Sequence, residues 1–110
     1  MKAVFRQQGW KLCVADTLHS AVAQLRKTPV AVVITERILP QGDWKDVLAR
    51  TRDLPRPPLL VVTARHADDY LWAEVLNWGG HDVLVQPLRE SEVVRVLQHA
   101  FGIRRSAASG

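Results

Sequence analysis

Four short apolar runs, each followed by an amphipathic stretch, constrain this chain more than any other feature. The runs are Lys11–Ala15, Val30–Thr35, Leu59–Thr63 and Asp82–Val85. Val30–Thr35 (VAVVIT) and Leu59–Thr63 (LLVVT) are apolar at nearly every position and rich in β-branched residues. That is the composition of a strand buried on both faces, and such strands lie in parallel sheets covered by helices.

The stretches between them carry helical stripes. Leu18, Ala21, Val22 and Leu25 fall at i, i+3, i+4 and i+7, one face of a helix. Asp16 or Thr17 can cap it, and Pro29 lies just past its end. Trp44, Val47 and Leu48 mark a second helix that must stop before Pro55. Leu71, Trp72, Val75 and Leu76 mark a third, closed by Gly79-Gly80. Val93, Val96, Leu97, Ala100 and Phe101 mark a fourth, with Gly102 after it. Ala3, Val4 and Phe5 read as the end of a short helix with Gly9 behind it. One domain over residues 1–103 is expected, with 104–110 a flexible tail.

Strand–helix repetition implies a parallel sheet with helices on both faces. In such sheets the functional crevice lies at the carboxyl ends of the strands. Those ends are Thr35-Glu36, Thr63-Ala64 and Gln86-Pro87. Length agrees with one domain, since 110 residues leave no room for a second core. No stretch approaches the roughly 18 apolar residues of a membrane helix, so no membrane association is expected. The opening residues hold no apolar block of the secretory-leader kind. The single cysteine, Cys13, cannot form an internal disulfide. A reducing, cytoplasmic setting and an inert buried thiol are therefore expected.

Fifteen basic and eleven acidic residues give a net charge of +4. This raises a nucleic-acid-binding basic module as the alternative function. The basic residues are scattered, however, with Arg26-Lys27 and Arg104-Arg105 the closest pairs, and no helix-turn-helix pattern is present. A solvated surface is the better reading, and nucleic acid is disfavoured as a partner. The four histidines lie far apart in sequence without metal-ligand spacing. No phosphate loop or nucleophile elbow occurs. No metal, no cofactor and no enzymatic activity are expected.

The strand ends and their neighbours resemble a response-regulator receiver domain, over nearly the whole chain from about Val4 to Phe101. Glu36-Arg37-Ile38-Leu39-Pro40 with Gly42-Asp43 is similar to the segment in which the phosphate-accepting Asp precedes a Leu-Pro and a turn. Val61-Val62-Thr63-Ala64 is similar to the strand whose hydroxyl contacts the phosphoryl group. Gly79–Pro87 (GGHDVLVQP) is similar to the run ending in Lys-Pro. The resemblance implies a flavodoxin-like sheet of four strands here, with the first, central strand and most of the first helix absent.

The departures from the family pattern are as informative. The acceptor Asp is Glu36, the Lys is Gln86, and the aromatic switch position falls on Val83. Thr63 and Pro87 are kept. The strand bearing the acidic pair for Mg²⁺ has no counterpart, so only Glu36 offers a carboxylate. These changes imply a degenerate site at Glu36, Thr63, Gln86 and Pro87, and a non-catalytic signalling module that does not accept a phosphoryl group. Glu36 would stand as a permanent charge where a phosphoryl group would be. The plain alternative is a solvated carboxylate, or one paired with Arg37 or Arg65; Thr63 alone could cap a strand end. The resemblance further implies a cis Gln86–Pro87 bond and a protein-partner surface over Asp68–Phe101. That surface would contain Tyr70, Trp72, Val83, Arg89 and Arg95.

Trp72 and Trp78 are expected in or beside the core, with Trp10 and Trp44 left open. Losing a central strand would leave a gap between the first two runs. Three outcomes follow: direct closure of the gap, pairing with a second chain in a homodimer, or a longer protein that supplies the strand. A dimer is the expected outcome for the chain as it stands.

Overall fold

A computed structural model describes residues 12–27, 30–66 and 68–109. The apolar runs form β1 (Leu12–Ala15), β2 (Val32–Glu36), β5 (Leu59–Ala64) and β6 (Asp82–Val85). Between them lie α1 (Leu18–Lys27), α2 (Trp44–Thr51), α3 (Asp69–Asn77) and α4 (Glu90–Ser109). A short hairpin, β3 (Ile38–Leu39) and β4 (Gly42–Asp43), joins β2 to α2. The expected short helix near Phe5, with Trp10, falls outside the described residues.

The four strands make one parallel sheet in the order β1-β2-β5-β6. Alternate residues of β2 and β5 face opposite layers, which is why both runs are apolar throughout. Val33, Leu60 and Val62 pack with Ala21 and Leu25 of α1, Trp44 and Val47 of α2, and Leu71 and Val75 of α3. Val32, Ile34 and Val61 face the other way, against Val93, Val96, Leu97 and Ala100 of α4.

No gap separates the first two strands. β1 pairs directly with β2, from Leu12 opposite Val32 to Ala15 opposite Thr35. The α1 crossover sets β1 beside β2, and the ladder satisfies backbone groups that a gap would leave unpaired at about 1–3 kcal/mol each. Direct closure, one of the three expected outcomes, is therefore the one these strands show.

Trp44, left open by the sequence, is the deeply buried tryptophan, 2% exposed. Trp78, 42% exposed, lies beside the core as expected, edge-on against Trp44 with ring centres 6.1 Å apart. Other expectations are corrected. Trp72 is 37% exposed on α3. Val83 is 3% exposed and belongs to the core, so it is no part of a partner surface. The helix expected to close at Gly102 continues to Ser109, so the expected tail is helical over 104–109. One glycine costs a helix only about 1 kcal/mol, and the arginines and alanines beyond it favour helix.

The helix ends follow the local chemistry. Thr17, not Asp16, caps α1: its hydroxyl accepts from Ser20 N–H at 3.0 Å, and Ser20 Oγ accepts from Thr17 N–H at 3.3 Å. Gly79, at φ 97°, ends α3 as expected, and Gly80 N–H donates to Val75 C=O at 2.8 Å. Asp43 caps α2 in a reciprocal box: its carboxylate accepts from Lys45 and Asp46 N–H, and Asp46 accepts from Asp43 N–H at 2.9 Å. Asp43→Ala is expected to cost about 1–2 kcal/mol, measured as a lower urea midpoint at unchanged slope. An unchanged midpoint would show that the box contributes nothing.

Candidate functional site

The backbone brings three strand ends together. Glu36, the last residue of β2, lies opposite Thr63 of β5. Arg37 N–H donates to Thr63 C=O at 2.8 Å, and Gln86 N–H, just past β6, donates to Ala64 C=O at 2.8 Å. The Gln86–Pro87 bond is cis, as the resemblance implied. Glu36, Thr63 and Gln86 therefore meet at the carboxyl end of the sheet, where the sequence placed them. Pro87 follows directly and is exposed.

Two cavities share these three residues. The larger, about 320 Å³, is completed by Arg37, Ile38, Ala64, Arg65 and His66. The smaller, about 230 Å³, reaches across the sheet to β1 and includes Asp16 and Leu88. Thr63 is buried while Glu36 is exposed, so a hydroxyl sits at the base of the site and a carboxylate at its mouth.

Asp16 is the residue that sequence reasoning missed. The expectation that Glu36 alone supplies a carboxylate is incorrect, because β1 occupies the position next to β2 and delivers Asp16 to the same cavity. The signal was available: Asp16 directly follows a strand, as Glu36 does. The sequence reading offers Asp16 only as a cap for the first helix. Arg37 and Arg65 do line the larger cavity with Glu36. Yet the ion pair found among the described residues is Lys45 with Glu74, at 3.0 Å, and not one involving Glu36.

Mg²⁺ takes near-octahedral oxygen ligands, including one or two carboxylates. Asp16 and Glu36 supply two carboxylates. Among the described residues, however, no three of His, Cys, Asp and Glu converge to hold a metal ion. Two carboxylates fall short of the ligand set of a dedicated Mg²⁺ centre.

The expected partner-surface residues lie apart from the cavities. Tyr70 is 72% exposed and, with Trp72, sits on α3. Arg89 precedes α4 and Arg95 lies on it, both exposed. Cys13 behaves as expected of a buried thiol: burial, with Asp16 adding to it, pushes it up to about 11, and its Sγ donates to Gln24 Oε1 at 3.1 Å. No helix among the described residues is long and apolar enough to cross a membrane.

No family model matches the chain. It is 34% identical over 90 residues to the "Probable transcriptional regulatory protein TcrX" of Mycobacterium tuberculosis. That match covers 81% of this chain but only 38% of the relative, so the chain spans well under half of that protein's length. Among solved structures, it is similar to the response regulator receiver domain protein (CheY-like) of Methanospirillum hungatei, with a TM-score of 0.82 at 13% identity. That likeness covers 96% of this chain and 85% of the other. It is also similar to the beryllofluoride-activated NtrC4 receiver domain dimer, with a TM-score of 0.79 at 18% identity over 91% of this chain and 83% of the other. A parallel sheet in this strand order, helices on both faces, and strand ends gathered at one crevice give this chain the flavodoxin-like fold of the response-regulator receiver domains.

Proposed function

We propose that the chain is a receiver-type signalling module that works through protein contacts and does not accept a phosphoryl group. The observation that carries this is the placement of Glu36 opposite Thr63 and beside Gln86. A phosphoryl acceptor works by positioning its carboxylate and neutralising the incoming charge. Glu36 is one methylene longer than aspartate, which displaces its oxygens from the attack position. Gln86 donates hydrogen bonds but carries no charge where the family places a lysine. Asp16 adds a second carboxylate at the smaller cavity, while Arg37 and Arg65 line the larger one.

A carboxylate at this place needs no transfer reaction to be charged. It holds the domain in one state, and signalling then depends on which partner is present. Exposed Tyr70 and Trp72 on α3 suit such contacts, since aromatic residues are enriched at protein interfaces. A protein partner or a second copy of the chain would dock there, and the NtrC4 receiver domain, of the same fold, was solved as a dimer.

The test is incubation with acetyl phosphate and Mg²⁺, followed by intact-mass measurement. The mass is expected to stay unchanged, and the Gln86→Lys variant to behave the same way, because Glu36 remains misplaced. A phosphoryl adduct on Glu36 or Asp16 of the unaltered chain would overturn the reading.

A further inference from the structure

A second kind of cavity lies at the opposite end of the sheet, where α1 ends and β2 and β5 begin. Its volume is about 270 Å³. Its walls are apolar: Leu25 of α1, Val30 ahead of β2, and Leu54, Pro55 and Pro58 from the connection into β5. Leu25 and Val30 belong to the packed core and Leu54 rests on it, so the floor is rigid. The connection is anchored at both ends. Leu54 N–H donates to Thr51 C=O at 3.1 Å, and Leu59 N–H donates to Ala31 C=O at 2.9 Å. Pro55 and Pro58 fix φ along that wall, so its shape does not wait on an occupant.

The charge on this cavity has one sign. Among the described residues, its charged lining residues are Arg26 and Arg56, both exposed, and no carboxylate lines it. Among the described residues, neither arginine is in an ion pair. An apolar cavity bordered by two arginines is complementary to a molecule with an anionic head and an apolar body. Arginine is suited to this because its planar fork matches a carboxylate.

We propose that this cavity binds a small monocarboxylate, with its apolar body on Leu25, Val30 and Leu54 and its carboxylate held by Arg26 and Arg56. Size limits the body. A cavity of about 150 Å³ holds benzene, and drug-sized ligands occupy about 300–1,000 Å³. A medium-length acyl chain or a single aromatic ring fits between those limits. The inference is independent of the signalling reading, because it concerns the other end of the sheet.

Octanoate is the probe, titrated into ¹⁵N-labelled protein while amide shifts are followed. Octanol supplies the body without the charge, and acetate the charge without the body. Saturable octanoate shifts are expected at Arg26, Val30, Leu54 and Arg56, with Glu36 and Thr63 unmoved and no saturable response to acetate. Replacing both exposed arginines (R26Q with R56Q) is expected to weaken octanoate about tenfold or more and leave octanol unchanged. Leu54→Ala is expected to weaken both. No saturable octanoate shift, shifts centred elsewhere, or unaltered octanoate binding by the doubly substituted chain overturns the proposal.

Discussion

Trp44→Ala is expected to remove about 3–5 kcal/mol of folding stability, the range for deleting a large aromatic from a packed core. Trp44 opens α2 and is 2% exposed, among Val47, Leu71 and Val75 in the layer that joins three helices to the sheet. Its ring also supports Trp78, which in turn lies under Lys45 Nζ at 5.3 Å and the Arg52 guanidinium at 5.8 Å. Truncation therefore leaves a void and undercuts a surface cluster at once. Domains of this size hold only about 5–15 kcal/mol in total, so the variant should be partly unfolded or melt far earlier. Trp78→Ala, at a 42% exposed position, should cost distinctly less. Urea denaturation followed by far-UV circular dichroism compares the two without relying on tryptophan emission. Equal costs would mean that the burial of Trp44 is not what holds this layer.

Acidification is expected to weaken the fold through His81. The residue precedes β6, and its backbone N–H donates to Leu60 C=O at 2.7 Å. Its ring stacks on His99 of α4, with centroids 5.4 Å apart and planes 26° from parallel. Nε2 is buried with no hydrogen-bond partner among the described residues. Burial lowers the His81 pKa, the His99 charge lowers it further, and Asp82 opposes both. The Asp82 carboxylate also accepts from Val83 N–H at 2.8 Å, so it is held beside its own strand. A lowered value in the folded state means that the unfolded chain binds the proton first. The contribution is therefore complete above the unfolded value of about 6.5 and is lost as pH falls below it toward the folded value. One proton sets the ceiling on the slope, about 1.4 kcal/mol per pH unit. The measurement is unfolding free energy against pH for the unaltered chain and for His81→Gln. The difference between the two curves should fall with pH below that range; parallel curves would show that the half-buried ring does not titrate with folding.

The parts of the fold that were legible in the sequence are those governed by long, consistent patterns. β2 and β5 were plain because burial on both faces forces apolar residues at every position. α3 was plain because an apolar stripe and Gly79 agree on where it ends. The β3–β4 hairpin was not, since two residues per strand carry no period, and only the Gly-Asp pair hinted at a turn. A Cβ at Gly42 would come within 2.8 Å of Leu18 Cδ2 and 2.6 Å of Asp46 Oδ2, so both side-chain ends would have to shift to admit one.

The juxtaposition of Glu36, Thr63 and Gln86 was legible, since each ends or follows a strand the sequence marks. Asp16 was missed for a topological reason: the neighbour of β2 depends on how the first crossover closes, which no local pattern encodes. His81 and His99 were likewise read as distant. They meet because α4 returns along the sheet after β6, folding an eighteen-residue separation back on itself. Trp44 and Trp72 had similar stripes, and only packing decided which one turned inward.

The offset of α1 by a single residue has an electrostatic result. An aspartate at the first cap position would spend its oxygens on amide protons and point along the helix. With a hydroxyl in that role, the neighbouring acid is left over, and its formal charge is delivered to the crevice beside Glu36. Where the helix begins thus sets how many carboxylates border the smaller cavity, and that number is written in the order of two adjacent residues.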